Sequence, residues 1–187
     1  MYMDEGMDTG DMILTQEVEI DENETTGDLW NKLSIIGSNL LVKTINEIIN
    51  NTAPRIKQGE DFSMAPMLKK EMSKINWNEK KSTEIKNLVR GLNPIMGAYS
   101  FVDNKKIKFW KIDIIKEEDF QTIGINKDYI KEYKPGTVVY VNEKKGLYIK
   151  TLDGVISVLE IQGENSKKMN ILDFLRGNKI ENNVTFV

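Results

Sequence analysis

The sequence predicts an α/β segment followed by a mainly β domain, a small closed or nearly closed barrel with one helix before it. Apolar residues recur at helical spacing between residues 29 and 48, and five short β-rich segments joined by turn residues follow residue 97. Residues 1–51 contain 11 acidic residues and 2 lysines, whereas residues 52–187 contain 18 acidic and 24 basic residues. We therefore predict an acidic first part and a basic second part.

The first part opens with an acid-rich loop, "YMDEGMDTGD". Residues 13–20 are β-rich and partly alternate, which predicts an edge strand. A helix is predicted next, with Thr25 or Thr26 as its N-cap. Its apolar face consists of Leu29, Leu33, Ile36, Leu40, Ile45 and Ile48. Asn50 and Pro54 end this helix.

Residues 52–70 have no helical or strand period and contain Pro54, Gly59 and Pro66, so they are predicted to be a linker. The predicted domains are therefore residues 1–51 and 71–187. A second helix is predicted over residues 82–92, with Ser82 as its cap. It ends at Asn93–Pro94 because proline lacks the backbone donor and disfavours helical geometry in the residue before it.

Five β-rich segments make up most of the second domain: "AYSFV", "KIKFW", "TVVYV", "LYIKT" and "VISVLEI". Asp103–Asn104, Glu143–Gly146 and Asp153–Gly154 separate them with residues typical of turns. A short helix, "NILDFLRG", follows near the end. Short strands joined by turns favour a barrel.

The chain contains no histidine and no cysteine. Within these residues that excludes Ser–His and Cys–His nucleophile pairs, imidazole bases, disulfides and thiolate metal sites. No apolar run approaches the roughly 20 residues that cross a bilayer, and the acidic N-terminus is unlike a secretory signal. We expect a soluble cytoplasmic protein with no metal and no membrane partner.

The basic second part has two interpretations. An excess of lysine can attract a polyanion such as nucleic acid. Lysine is also the commonest charged residue of this chain, and a lysine-rich surface needs no ligand to explain it. Charge alone leaves both interpretations open.

Five motifs, in one order, closely resemble the C-terminal half of the methionyl-tRNA formyltransferase family. They are "MDEGMDTGD", "TTGDLWNKL", "APMLKKEMSKINW", "LVRGLNPIMGAYS" and "NILDFLRGNKI". The resemblance covers nearly the whole chain apart from a longer polar stretch around residues 116–134. It identifies the first part as the end of a Rossmann-like catalytic domain and the second as an OB-like domain that binds tRNA.

The resemblance implies an enzyme of translation initiation that transfers a formyl group from 10-formyltetrahydrofolate to the amino group of methionyl-initiator tRNA. It implies that Asp8 is catalytic and orients a histidine, and that the donor lies along the backbone near Met3, Asp4, Gly6 and Met7. The family's catalytic Asn and His belong to a motif upstream of the opening loop. We therefore expect a fragment that is inactive alone and binds the folate poorly. Its expected partner is the first half of the catalytic domain, which it lacks.

The resemblance also implies a tRNA-binding surface on the linker and the barrel. Its expected residues are Lys69, Lys70, Lys74, Arg90, Lys105, Lys106, Lys144, Lys145, Lys167 and Lys168. Phosphate tracking by lysine is favoured over direct base recognition. Alternatives stay open at each position: Asp8 suits a turn, the lysines suit a solvated surface, and Arg90 with Asn93 suits a helix end.

Two departures from the family pattern affect these expectations. Met67 stands where the family commonly has lysine, which removes one expected phosphate contact. Ile95–Met96 replaces a common Trp-Pro pair, which changes local packing.

Two other functions remain possible at this stage. Related transferases formylate nucleotide-sugar amines, and others hydrolyse or oxidise formyl-folate; the basic linker and barrel favour an RNA acceptor over these. A stand-alone nucleic-acid-binding module is the alternative from a different class, and the missing histidine favours it.

Overall fold

The computed structural model describes all 187 residues. The chain divides into two compact units, Met1–Met67 and Leu68–Val187. No helix in it is long and apolar enough to cross a membrane.

In the first unit, residues 1–25 form a loop with no ladder of paired strands. The edge strand predicted for residues 13–20 is wrong: the one pairing nearby is an isolated antiparallel bridge between Met12 and Ile56. A strand needs a neighbour to receive its backbone hydrogen bonds, and no other segment of the unit pairs with these residues.

Helix α1 (Thr26–Ile49) fills most of the first unit. The Thr25 hydroxyl accepts from the Asp28 amide, and the Asp28 carboxylate accepts from the Thr25 amide, which forms a capping box. The predicted helix and its Thr25 cap are therefore confirmed. No residue of α1 is buried, and Trp30 is 72% exposed.

The second unit contains six strands and three helices. Their order is α2 (Ser82–Gly91), β1 (Ala98–Val102), β2 (Lys105–Ile115), α3 (Phe120–Ile123), β3 (Val138–Asn142), β4 (Gly146–Lys150), β5 (Val155–Gln162), β6 (Met169–Asn170) and α4 (Ile171–Gly177). Short 3₁₀ turns lie at Lys70–Ser73, Glu117–Asp119 and Ile130–Glu132. The five predicted strands and both predicted helices are confirmed, and β6 was not predicted.

The predicted N-cap of α2 is wrong by one residue. Ser82 is the first helical residue, and its amide and hydroxyl both donate to the Asp153 carboxylate, at 2.8 and 2.9 Å. Asp153 lies 71 positions away in sequence, so spacing near the helix could not identify it.

The strands form one antiparallel sheet in the order β1-β2-β5-β4-β3, with β6 added beside β5. The second unit combines this sheet with helices, so its fold class is α/β. No ladder joins β1 to β3, so the sheet is open and closure into a barrel is not observed.

The last residues of the chain lie between the two ends of this sheet. Val187 exchanges two backbone hydrogen bonds with Phe101 in β1, at 2.8 and 2.9 Å. On the other side, the Phe186 amide donates to the Gly136 carbonyl and the Val138 amide donates to the Val184 carbonyl. These isolated hydrogen bonds connect the two edges of the sheet, β1 and β3, without forming a continuous ladder.

An aromatic cluster marks the centre of the second unit. The Phe109 ring lies 5.9 Å from Trp77 and 5.4 Å from Phe186 between ring centroids, both in edge-on contacts. The Trp77 indole also donates to the Ser100 hydroxyl at 2.9 Å. Buried aliphatic side chains from α2, α4 and the sheet surround this cluster.

Candidate functional site

One side of strands β1 and β2 carries alternating lysine and aromatic side chains. In β1, Ala98, Ser100 and Val102 are buried, whereas Tyr99 and Phe101 are half-buried on the opposite side. In β2, Lys106 and Lys108 alternate with buried residues in the same way. We call the set Lys74, Tyr99, Phe101, Lys106, Lys108, Trp110 and Lys168 the basic–aromatic face.

Strand register places the lysines beside the rings. Lys108 lies opposite Tyr99, and Lys106 lies opposite Phe101. The Lys106 ammonium stands 3.6 Å from the centre of the Tyr99 ring, and the Lys74 ammonium 5.8 Å from that of Phe101. Both distances lie within the range of cation–π attraction, so the rings hold the ammonium groups in place.

Trp110 lies at the end of this face, beside a bulge in β2. The register of β2 against β5 shifts between Phe109 and Lys111, which is the effect of an extra residue in one strand. The Trp110 indole donates to the Gln162 amide oxygen at 3.0 Å. The ammonium groups of Lys108 and Lys168 lie 5.5 and 5.8 Å from its ring.

The face carries uncompensated positive charge. Lys168 forms an ion pair with Glu160 at 2.6 Å, but Lys74, Lys106 and Lys108 have no carboxylate within salt-bridge distance. Lysines next to aromatic faces can neutralise phosphates while the rings stack on bases.

The other expected tRNA-binding lysines do not join this face. Lys105 begins β2 at the β1–β2 turn, Lys167 precedes β6, and Lys69 and Lys70 begin the second unit. Lys144 and Lys145 lie in the β3–β4 turn, at the opposite end of the strand order. All six side chains are exposed.

Three of the predicted positions have structural contacts. The Lys145 ammonium donates to the carbonyls of Thr122 and Ile123 at 3.0 and 2.9 Å, at the end of α3. The Arg90 guanidinium donates to the Asn87 side chain at 2.8 Å. The Asn93 amide donates to the Trp110 carbonyl at 2.8 Å, which anchors the turn after α2.

The predicted site omitted four residues of the face: Tyr99, Phe101, Lys108 and Trp110. Alternation places Tyr99 and Phe101 on one side of "AYSFV", and Lys106, Lys108 and Trp110 on one side of "KIKFW". The register of β1 against β2 is needed to show that these two sides coincide.

The acid-rich loop of the first unit is closed by its own hydrogen bonds. The Tyr2 amide donates to the Asp11 carbonyl at 2.8 Å. The Gln58 side chain donates to the carbonyls of Asp8 and Gly10, at 2.7 and 2.8 Å. Gly10 is required here, because an added Cβ would lie 1.9 Å from the Tyr2 carbonyl oxygen.

Arg55 fixes the start of this loop from the same unit. Its guanidinium pairs with Asp11 at 3.2 Å and lies 3.9 Å from the centre of the Tyr2 ring. The Asp8 backbone is left-handed, with φ 59°, and its side chain is exposed. Met3 and Met7 are 100% and 92% exposed, and the side chains of Asp4, Glu5 and Asp8 are exposed as well. The loop therefore presents two thioether side chains and three carboxylates.

The structure contains no group of three or more His, Cys, Asp or Glu side chains that could hold a metal ion.

Two family models match the chain. "Formyl transferase, C-terminal domain" matches residues 67–179, and "Formyl transferase" matches residues 1–45. The chain is 40% identical over 186 residues to the methionyl-tRNA formyltransferase of Clostridium tetani, covering 98% of this chain and 55% of that protein. It is 39% identical over 182 residues to that of Clostridioides difficile, covering 97% and 54%. The chain thus spans about half the length of the curated relatives it matches.

Solved structures share the fold. A variant of HypX from Aquifex aeolicus matches with a TM-score of 0.65 at 17% identity, covering 96% of this chain and 30% of HypX. WlaRD, a sugar 3N-formyl transferase, matches with a TM-score of 0.56 at 26% identity, covering 88% and 53%. Because a family model covers residues 67–179, more than half of the sequence, the chain belongs to the formyl transferase family.

Proposed function

We propose that this chain is part of a methionyl-tRNA formyltransferase, which transfers a formyl group from 10-formyltetrahydrofolate to the amino group of methionyl-initiator tRNA. The names of relatives about 40% identical over nearly the whole chain support this activity. The observation that carries the RNA acceptor is the basic–aromatic face, where three lysines without carboxylate partners lie beside aromatic rings.

The second unit supplies the tRNA-binding surface in this proposal. Ammonium groups on the face neutralise backbone phosphates, and the half-buried rings of Tyr99 and Phe101 offer surface to unpaired bases. Trp110 is buried, and it contributes by holding the ammonium groups beside its ring. Lys69, Lys70, Lys105 and Lys167 extend the positive surface around it. Lys144 and Lys145 are less suited, because they do not belong to strands β1 and β2 and the Lys145 ammonium is bound to the end of α3.

We also propose that the second domain is an OB-like barrel beginning near residue 71, after a linker over residues 52–70. The supporting observation is the C-terminal segment, which hydrogen-bonds to β1 through Val187 and to the start of β3 through Val184. Closure through this segment would complete a small barrel around the ring cluster of Phe109 and Phe186.

Asp8 is the proposed catalytic residue of the first unit. Its exposed carboxylate accepts no hydrogen bond from this chain, so it is available to orient a protonated base supplied by another part of the enzyme. The exposed thioethers of Met3 and Met7 fit a planar ring such as that of a folate, because polarisable sulfur packs well against aromatic groups. Asp4 and Gly6 complete this stretch of backbone.

The chain alone is proposed to be inactive and to bind the folate weakly. It contains no histidine, so no imidazole is available to accept the proton of the attacking amine. The missing partner is then the remainder of the catalytic domain, and the site of action is the cytoplasm, where translation begins.

A binding comparison tests the RNA acceptor. Lys106→Gln with Lys108→Gln removes two charges from the face, and Lys116→Gln with Lys179→Gln removes two exposed charges elsewhere. We expect the face variant to bind initiator tRNA roughly tenfold more weakly and the control pair to bind like the wild type. Equal weakening of both variants would contradict a localised site.

A reconstitution assay tests the catalytic role. The 187-residue chain is mixed with the part of the Clostridium tetani relative that it does not span, and formylation of methionyl-tRNA is measured. We expect activity in the mixture, none in either part, and loss of most activity with Asp8→Asn. An equally active Asp8→Asn mixture would remove the catalytic role of Asp8.

A second acceptor is favoured by one structural relative, the sugar 3N-formyl transferase WlaRD. A nucleotide-sugar amine would need no extended cationic surface. Formylation of such an amine, combined with equal tRNA binding by the face and control variants, would favour this acceptor.

A further inference from the structure

A pocket of about 370 Å³ lies in the second unit beneath residues 116–134, which connect β2 to β3. This connection packs on the sheet through a small separate core, in which Phe120, Ile125 and Ile130 contact Tyr148 and Val155. The volume of the pocket is within the range of small-molecule sites. The basic–aromatic face contributes no residue to its lining.

The pocket has an apolar lining around one buried lysine. Ile114, Phe120, Ile130 and Leu152 supply hydrophobic surface. Lys150, at the end of β4, lines the same pocket and is only 8% exposed. Lysine is almost never buried to this extent without a charged partner.

Lys150 has unused hydrogen-bonding capacity. Its ammonium donates to the Thr151 carbonyl at 2.6 Å and has no carboxylate within salt-bridge distance. An ammonium carries three donors, so two remain for another acceptor. Burial lowers the pKa of Lys150, opposed by the charge of Asp153, and an anion bound beside the ammonium would raise this pKa.

The other charged groups of the pocket are mostly occupied. The Asp153 carboxylate accepts from the Ser82 amide and hydroxyl, so it caps α2 instead of pairing with Lys150. Lys127 pairs with Glu117. Lys150 and the exposed Lys131 have no carboxylate partner, and Asp153 has no ammonium partner. Three lysines and two carboxylates leave the lining with a net charge of +1.

We propose that this pocket binds a small monocarboxylate with an apolar body, whose carboxylate lies against Lys150 and whose hydrocarbon part contacts Phe120, Ile130 and Leu152. The single buried cation matches one carboxylate, and Lys131 can bind its second oxygen. The apolar lining disfavours a small, fully hydrated anion such as phosphate. This site is independent of the proposed formyl transfer.

Titration of the full chain with hexanoate tests the site, with inorganic phosphate as the comparison. The observable is the NMR resonance of the Lys150 ε-methylene, assigned by its loss in Lys150→Met. We expect saturable movement with millimolar hexanoate and a rise in the Lys150 pKa on binding, since the bound anion stabilises the ammonium. Phosphate should bind at least tenfold more weakly.

Matched variants make the result decisive. Lys150→Met should abolish hexanoate binding, measured by calorimetry, whereas Lys116→Met removes an exposed lysine outside the lining and should leave it unchanged. Calorimetry of the wild-type chain needs no variant, so the absence of saturable hexanoate binding there would overturn the proposal even if Lys150→Met failed to fold. Equal binding of phosphate and hexanoate would overturn the apolar part of the site.

Discussion

The two units of this chain use hydrophobic residues in opposite ways. Helix α1 has 24 residues and buries none of them. Even its large hydrophobic side chains Trp30, Leu41 and Ile49 are more than half exposed. In the second unit, the much shorter α2 buries Ile85 and Val89 against the sheet. The contrast shows that a capped segment with helical spacing can form a helix in a unit where no other element covers it.

The largest expected effect is a loss of stability in the second unit only. Phe109→Ala removes a fully buried ring from the aromatic cluster and should lower its free energy of unfolding by about 3–5 kcal/mol. Trp30→Ala is the matched change in α1 and should cost well under about 1 kcal/mol, because its side chain is exposed. Amide hydrogen exchange separates the two units. Similar losses from both substitutions would show that Trp30 is packed in solution.

Two glycines sharpen the comparison with smaller effects of opposite sign. At Gly136, with φ 89°, an added Cβ would lie 2.4 Å from the Phe186 carbonyl oxygen, so Gly136→Ala should destabilise the second unit by roughly 1–3 kcal/mol. At Gly37, inside α1, a Cβ meets nothing within 4 Å. Gly37→Ala should therefore stabilise the helix by about 0.5–1 kcal/mol. Circular dichroism during urea denaturation measures both changes, and a destabilised Gly37→Ala would reveal a covered helix face.

The smallest expected effect is a pH dependence from the buried lysine of the second unit. Burial lowers the pKa of Lys150 below its ordinary 10.5, so the unfolded chain binds this proton more tightly. Stability should rise with pH between the lowered folded value and 10.5. The difference in urea midpoint between wild type and Lys150→Met, measured from pH 8 to 10.5, isolates this contribution. A difference that stays constant with pH would mean that Lys150 is solvated.

Local pattern predicted much of this structure. The α1 cap was predictable because Thr25 and Asp28 lie three residues apart, and β1 followed from its alternation and flanking turns. Partners distant in sequence were not predictable. Asp153 caps α2 from 71 positions away, and residues 13–20 have strand composition but no neighbouring strand.

The candidate sites also combine residues that the sequence predicted with residues that only the three-dimensional structure could reveal. Lys74, Lys106 and Lys168 were expected from charge and resemblance, and the structure places them on one face. Assigning Tyr99 and Phe101 to the same face required the register of β1 against β2, which the sequence does not give. The pocket at Lys150 was not foreseen, because its lining comes from segments separated by up to 72 positions, from Ser82 to Gly154.

The most direct test of the central claim is the salt dependence of initiator tRNA binding by the 187-residue chain. Fluorescence anisotropy at several salt concentrations gives the slope of log K against log salt. Three unpaired lysines on the basic–aromatic face predict tight binding at low salt and a slope of about −2 to −3. No binding at low salt, or a slope near zero, would contradict the assignment of this face as an RNA-binding surface.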